Sequence, residues 1–140
     1  MEKLEKLRQW LQQFPGWGDI KIQDDDLLPE PGNAGLYPKG LQERGRSQDL
    51  LGNTHISCRE QFLLRFMTEK RENAADWLRS LQDWIQQQSA RGLAPTFGDI
   101  PSRERVFAEK GCLKQADQTG TCVYEVMLVA DFMKVYEVKE

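Results

Sequence analysis

Nucleophilic catalysis in this 140-residue chain would have to use its single histidine and three cysteines, which are His55, Cys58, Cys112 and Cys122. A thiol or hydroxyl nucleophile needs a base, usually a histidine, within hydrogen-bond distance. His55 and Cys58 lie three residues apart in a segment with strand-like alternation, so we expect their side chains on opposite faces. The pair is therefore a poor catalytic dyad, and His55 is expected to face solvent near a turn.

The same residues do not have the spacing of a metal site. The sequence has no CxxC pair and does not offer the four well-spaced ligands that zinc requires. The simplest interpretation is three reduced thiols that fill sheet positions as small apolar groups in a cytoplasmic protein. Cys112 and Cys122 flank a predicted hairpin turn, so a cross-strand disulfide between them is the alternative.

Carboxylates are concentrated in residues 17–35, where five acidic residues against one lysine give a local charge of −4. The stretch includes Asp24, Asp25 and Asp26 in succession, but it lacks the D-x-D-x-D-G spacing of a calcium loop. A solvated loop is the favoured interpretation, and a magnesium or calcium site is the minor one. No glycine-rich phosphate loop, GxSxG motif or HExxH motif occurs, so we predict no catalytic residue, no metal and no cofactor.

Charge and composition argue against further classes of protein. The chain has 19 basic and 22 acidic side chains and a net charge of −3, whereas a nucleic-acid coat needs clustered positive charge. Its length and its 39% apolar content suit one soluble globular domain over residues 1–140. The longest apolar stretch, residues 126–130, is far shorter than the roughly 20 residues of a membrane span. The charged amino terminus does not resemble a signal peptide.

Two amphipathic helices are predicted. Residues 3–14 repeat apolar side chains at intervals of three and four, and Pro15 ends the pattern. This helix is expected to lie on a sheet, and docking on a neighbouring subunit is the alternative. A second helix is expected to begin after an N-cap at Asn73 and to bury an apolar stripe in residues 77–85.

Four longer strands are predicted, in two hairpins. They are residues 36–50, 56–66, 105–116 and 121–137. The first strand is irregular, and a Gly-Asn pair at residues 52–53 suits the turn that follows it. The last strand is apolar on both faces, which predicts cover on both sides, and residues 20–22 alternate as a short strand would. The sequence therefore predicts a single α+β domain, with an antiparallel sheet of about four strands flanked by two main helices.

Several short motifs, taken in their order, resemble those of prophage tail-assembly proteins of Gram-positive bacteria. They include Gly35-Leu36-Tyr37-Pro38-Lys39-Gly40, Leu51-Gly52-Asn53, Gly92-Leu93-Ala94-Pro95-Thr96-Phe97-Gly98-Asp99 and Phe132-Met133-Lys134-Val135-Tyr136-Glu137. Together the motifs cover most of the chain from about Gly32 onwards. No single motif has a chemical meaning, so their joint order carries the resemblance, which is to phage minor tail proteins of the tail-terminator, or tail-completion, type.

The resemblance implies an α+β subunit that assembles with copies of itself, typically as a hexameric ring, on the head-proximal end of the tail tube. Such a ring halts tube polymerisation and presents a surface to the head–tail connector protein, while DNA passes through its centre. The implied partners are the chain itself, the tail tube protein and the connector protein, without specific nucleic-acid binding and without a membrane. The implied location is the virion tail, and the host bacterial cytoplasm during assembly. No residue is implied to be catalytic.

Within this resemblance, two sites are hypothesised. The run Asp24–Asp26 would line the lumen, where negative charge repels DNA phosphates, and a solvated outer rim is the alternative. Phe97, in a proline-flanked connector, would anchor a subunit interface, and the alternative is that its ring completes the chain's own core. Tyr37 and Asp99 are further candidate positions for the interface or the lumen.

Three other functions remain open at this point: a head–tail connector component, a small bacterial enzyme acting on a small molecule, and a monomeric interaction module. A deep pocket with convergent polar groups would favour the enzyme. A flat protomer with exposed edges would favour assembly.

Overall fold

The computed structural model describes residues 3–18, 20–24, 33–69, 74–116 and 121–138. Its helices and strands are α1 (Lys3–Leu11), β1 (Ile22–Asp24), β2 (Asn33–Gln48), β3 (Thr54–Glu69), α2 (Ala74–Ala90), β4 (Arg105–Ala116) and β5 (Thr121–Tyr136). Single turns of 3-10 helix lie at Pro15–Trp17 and at Pro101–Arg103. The N-cap predicted at Asn73 and the turn predicted between β4 and β5 lie outside the described residues.

The strands form one sheet in the order β1-β2-β3-β5-β4. The two predicted hairpins pair β2 with β3 and β4 with β5, and an antiparallel pairing of β3 with β5 joins them. The short strand expected at residues 20–22 instead begins at Ile22 and runs to Asp24, and it pairs parallel to β2, with Ile22 opposite Ala34. The predicted α+β class is therefore confirmed, and the sheet has five strands because β1 joins the four predicted longer strands.

Both helices lie on the same face of the sheet, which we call the covered face. The predicted apolar stripes of α1, α2 and β3 meet there in one core. Its members include Leu7, Trp10, Leu11, Phe62, Leu64, Phe66, Leu78, Leu81, Ile85, Val126, Leu128 and Phe132. The indole of Trp10 stacks on that of Trp84 with ring centroids 5.2 Å apart, which ties α1 to α2. Helix α1 ends at Leu11, earlier than predicted, but Phe14 and Trp17 remain in the same core.

No described helix packs on the opposite face, which we call the open face. Side chains of the strands themselves cover it: Val129 is completely buried, with Gln61 and Phe107 as its register neighbours. Met127 and Leu63 are half-buried there. The apolar pattern on both faces of β5 therefore has two causes, helices on one side and neighbouring strand side chains on the other.

The register between β4 and β5 excludes the alternative disulfide. Cys112 lies opposite Glu125, whereas Cys122 lies opposite Ala116. An offset of three residues is about 10 Å along a strand, beyond the roughly 7 Å between Cα atoms that a disulfide can bridge. Cys58 and Cys122 are buried free thiols.

The connector between α2 and β4, residues 91–104, packs tightly against the last residues of β5. The backbone N–H of Asp99 donates to the carbonyl of Met133 at 2.8 Å, and the carboxylate of Asp99 accepts the N–H of Val135 at 2.8 Å. The backbone of Gly98 lies so close to β5 that a Cβ atom there would be 2.3 Å from the carbonyl oxygen of Met133. Only glycine fits this contact without movement of the backbone.

We therefore expect Gly98→Ala to lower the free energy of unfolding by about 2 kcal/mol or more, because two backbone segments must separate. Gly45→Ala is the matched control, since a Cβ atom at Gly45 meets nothing within 4 Å and should change stability by less than about 0.5 kcal/mol. Urea denaturation of both variants provides the comparison. Equal stabilities of the two variants would contradict the tight packing of the connector.

Candidate functional site

Four arginines converge on the open face near the start of β4, and we call them the arginine cluster. Arg44 comes from β2, Arg59 from β3, Arg103 from the 3-10 turn before β4, and Arg105 from β4 itself. They line a concavity of about 380 Å³ together with Ser57, Cys58, Asp131, Phe132 and Met133. With four positive charges and one negative, its lining has a net charge of +3 in a chain whose overall charge is −3.

The strand register brings the cluster together. Arg59 lies opposite Asp131, and Asp131 lies opposite Arg105, so the three side chains form a row across β3, β5 and β4. Arg44 is the extra residue of a bulge, because the pairing of β2 with β3 shifts between Glu43 and Gly45.

Asp131 holds two of the guanidinium groups. Arg59 donates from Nε to Oδ1 at 2.7 Å and from Nη2 to Oδ2 at 2.9 Å, and Arg105 donates from Nε to Oδ2 at 3.2 Å. Both guanidinium groups also lie over the ring of Phe107, at 5.5 Å and 4.7 Å from its centroid. Two-point arginine–carboxylate bonds and cation–π contacts fix orientation as well as distance. Arg59 and Arg105 are therefore oriented before any partner arrives.

Hydrogen bonds from Arg59 are the largest cause that lowers the pKa of Asp131 below its ordinary value, and bonds from Arg105 add to the effect. The same bond to Asp131 raises the pKa of Arg59. Asp131 is consequently a carboxylate at neutral pH, and the cluster keeps its full set of charges.

The cluster retains unused hydrogen-bond donors. A guanidinium group has five N–H donors, and the bonds to Asp131 occupy two on Arg59 and one on Arg105. Among the described residues, the guanidinium of Arg103 contacts the sulfur of Met133 at 3.9 Å and forms no ion pair. The guanidinium of Arg44 forms no ion pair within the described part of the chain. This arrangement is suited to binding an anion such as a carboxylate or a phosphate.

A second surface feature is the turn between β2 and β3, residues 49–53, which we call the hairpin tip. Leu50 and Leu51 are exposed there to 105% and 82%. The Asp49 carboxylate fixes the turn by accepting the N–H groups of Leu51 and Asn53 at 2.9 Å each, and it bonds His55 Nε2 at 3.0 Å. The bond to His55 is the largest cause that lowers the pKa of Asp49. The tip is therefore a well-defined turn that exposes two leucine side chains to solvent.

The hairpin tip is also tied to the end of the chain. The side-chain oxygen of Asn53 accepts the N–H of Val138 at 3.1 Å. Tyr136, at the end of β5, and Val138, just beyond it, are themselves exposed, so their apolar side chains extend the apolar surface of the tip.

Among the described residues, the sequence-predicted positions do not form one site. The ring of Phe97 is 9% exposed, and its centroid lies 6.4 Å from that of Phe62 and 6.2 Å from that of Phe132. This burial favours the alternative in which Phe97 completes the chain's own core. Asp99 caps the edge of β5, and Tyr37 is half-buried on the open face. Their roles at an interface or lumen stay predictions.

Asp24 ends β1, where it pairs with Leu36, and Asp25 and Asp26 lie outside the described residues. The expectation that His55 and Cys58 form no dyad agrees with their positions, because His55 bonds Asp49 at the turn while Cys58 is buried in the core on the covered face.

Sequence reasoning missed the arginine cluster because its members are far apart in the chain and belong to four different elements. The one local signal is the Arg-x-Arg spacing of Arg103 and Arg105, which is too common to indicate a site without the strand register.

Two further findings concern the described residues alone. No group of three or more His, Cys, Asp or Glu side chains among them is arranged to hold a metal ion. Neither described helix has the length and apolar character needed to span a membrane. Compared with known proteins, the chain matches no protein-family model and no curated protein.

Asp131→Asn is expected to lower the free energy of unfolding at pH 7 by about 1–3 kcal/mol, because it leaves Arg59 without its counter-charge. The pKa of Asp131 is lowered by folding, so its contribution is present above the unfolded value of about 3.9 and is lost as the pH falls through the folded value. The difference between wild type and variant should therefore stay constant from pH 6 to about pH 5 and shrink as the pH falls below about 4.

Urea denaturation across this pH range measures the effect. Asp76→Asn is the control, since Asp76 is an exposed carboxylate 3.6 Å from Arg79 and should contribute little at any pH. A difference for Asp131→Asn that does not change with pH would contradict the role of its carboxylate.

Phe97→Ala is expected to lower the free energy of unfolding by about 3–5 kcal/mol, as loss of a buried ring usually does. Leu93→Ala, at an exposed position of the same connector, should change it little. Thermal unfolding and measurement of the oligomeric state separate the two alternatives for Phe97. An unchanged melting temperature with lost oligomers would instead identify Phe97 as an interface anchor.

Proposed function

We propose that this chain is a structural protein of a phage or prophage tail, which completes the tail tube as an oligomeric ring and contributes to the head–tail joint. The order of its motifs, which resembles that of tail-terminator proteins, suggests this role. The structural observation that supports it best is the hairpin tip, where a hydrogen-bonded turn holds Leu50 and Leu51 in solvent.

The physical argument concerns the free energy of docking. Burial of a leucine side chain contributes about 1.5–3 kcal/mol, and a segment that is already ordered loses little conformational entropy when it binds. Single exposed leucines are common on protein surfaces, but two adjacent ones on a fixed turn are suited to anchor a partner protein. The hairpin tip therefore favours a role in assembly.

The edge of the sheet beside the tip supports the same role. Every residue of β2 from Lys39 to Gln48 is exposed, and β1 pairs only with the opposite end of this strand. Register shifts next to Gly40 and Gly45 interrupt the regular pairing of β2 with β3, and this edge strand also carries charged side chains. Such devices limit unspecific strand pairing while leaving an extended surface for a specific partner.

Oligomerisation would raise the affinity that this small tip provides. Two leucines offer far less than the roughly 800 Å² per partner of a standard protein–protein interface, so one tip alone would bind weakly. A ring presents one tip from each subunit, and simultaneous binding raises the total affinity. This agrees with a protein that binds the tail tube only as an assembled ring.

Electron microscopy of the purified protein mixed with its cognate tail tube protein tests the proposal. We expect tubes of limited length that carry a ring at one end. The double variant Leu50→Ser/Leu51→Ser should fold with an unchanged melting temperature and bind the tube at least tenfold more weakly. Leu93→Ser, at another exposed leucine, should behave as wild type.

Uncapped tubes in the presence of the wild-type protein would contradict the proposed role. Binding to the connector protein instead of the tube would favour the connector alternative. Turnover of a metabolite would favour the enzyme.

A further inference from the structure

The concavity of the arginine cluster lies where the open face of the sheet has small residues. Ser57 of β3 is opposite Gly45 of β2 and opposite Met133 of β5, so the three residues form a row next to that of Arg59 and Asp131. A Cβ atom at Gly45 would meet nothing within 4 Å, which leaves the space beside Ser57 open. Long charged side chains beside this open space account for a concavity of about 380 Å³.

The concavity carries more positive charge than its own subunit neutralises. Asp131 is the one acidic side chain among the described residues that line it, against four guanidinium groups. The charge of Glu109 on β4 also raises the pKa of Arg59, but less than Asp131 does. Four positive charges against these two negative ones leave an excess of +2. Like charges at short range repel one another, and a bound anion relieves the repulsion.

The available donors face the concavity from two sides. Arg44 belongs to β2, and Arg103 belongs to the 3-10 turn that leads into β4. These two strands are three strand spacings apart, or about 14 Å at the backbone, with β3 and β5 between them. Both arginines are exposed, and within the described part of the chain neither forms an ion pair. A ligand between them can therefore accept hydrogen bonds from both directions.

A phosphate group fits this arrangement better than a carboxylate does. A carboxylate is planar, carries one charge and matches a single guanidinium fork, as Asp131 already does with Arg59. The phosphate of a monoester carries a charge of about −1.5 to −2 at neutral pH and has three acceptor oxygens. It can offset the excess charge and accept bonds from several arginines at once. The hydroxyl group of Ser57 is a further donor in the lining.

The phosphate group is expected on a small molecule. The volume of about 380 Å³ is within the range of roughly 300–1,000 Å³ that small-molecule sites occupy. Nucleic acid is a weaker candidate, because each of its phosphates carries a single charge and because the chain as a whole, at −3, repels a polyanion.

We infer that the arginine cluster binds the doubly charged phosphate group of a small molecule, either inorganic phosphate or a phosphate monoester. The two arginines that bond Asp131 form the fixed part of the site, and Arg44 and Arg103 contact the phosphate oxygens from opposite sides. This site goes beyond the proposed function, because phosphate binding requires neither a ring nor a tail tube.

Isothermal titration calorimetry at constant ionic strength tests the site with inorganic phosphate, glycerol 2-phosphate and succinate. The full-length protein should bind both phosphates, and it should bind succinate, a dicarboxylate with a similar charge, at least tenfold more weakly. Tighter binding of glycerol 2-phosphate than of inorganic phosphate would identify an ester as the ligand, and the reverse order would identify free phosphate. Either order supports the site.

The variant Arg44→Ala/Arg103→Ala should bind both phosphates at least tenfold more weakly than wild type. Both arginines are exposed, so the melting temperature of this variant should not change. The matched control, Arg79→Ala/Arg91→Ala, removes the same charge from exposed positions in α2 and just after it. Its affinity for the phosphates should stay within twofold of wild type.

Nuclear magnetic resonance locates the bound phosphate. Titration with glycerol 2-phosphate should shift the backbone amide signals of Ser57, Arg105 and Met133, which line the concavity. The signals of α1, which lies on the covered face, should not shift. Shifts in α1 without shifts at the concavity would contradict the assignment.

Three further results would overturn the inference: no binding of either phosphate, equal affinities of the two arginine variants, or binding of succinate as tight as that of the phosphates. Tighter binding of a DNA oligonucleotide through Arg44 and Arg103 would also overturn it. Capped tubes without phosphate binding would reject this site alone, and phosphate binding without capped tubes would reject only the proposed function.

Discussion

The pairing of β3 with β5 is the interaction on which the rest of this structure depends. It runs without interruption from Thr54 opposite Tyr136 to Glu69 opposite Thr121, and it joins two hairpins that otherwise share few contacts. A shift of this register by one residue would exchange the faces of one strand. Phe62 would leave the core, and Arg59 would lie beneath the helices. One set of backbone hydrogen bonds therefore determines both the hydrophobic core and the arginine cluster.

Local patterns in the sequence were sufficient to predict most of the fold. The strand predicted for residues 105–116 has those bounds in the structure. The turn expected at Gly52 and Asn53 joins β2 to β3, but Leu50 and Leu51 occupy its two central positions, because the N–H of Gly52 donates to the carbonyl of Asp49. A period of two residues in a strand, or of three to four in a helix, indicates which side chains share a face. In this small domain, most side chains on the face that points into the core are buried. Helix α1 ends at Leu11 because the chain turns there, although Phe14 continues the apolar pattern and is buried by packing beyond the helix.

The candidate sites were less accessible to prediction, because they depend on distant residues. The arginine cluster requires a row of three strands in a particular register and a bulge at Arg44, and no spacing within a strand indicates either one. The burial of Phe97 depends on the docking of the connector against β5. The hairpin tip was predicted as a turn, but its exposed leucines acquire meaning only from the hydrogen bonds around Asp49 that fix them. The hairpin tip and the arginine cluster are separate features of the surface of this chain.

The proposed function is that this chain becomes part of a particle, at the end of a tail tube that faces the head. The most direct measurement is cryo-electron microscopy of tails assembled with and without the chain. The account predicts density for a ring of this α+β fold at the head-proximal end of the tube, and tubes of uncontrolled length that fail to join heads when the chain is absent. Tails of normal length that join heads without it would contradict the account.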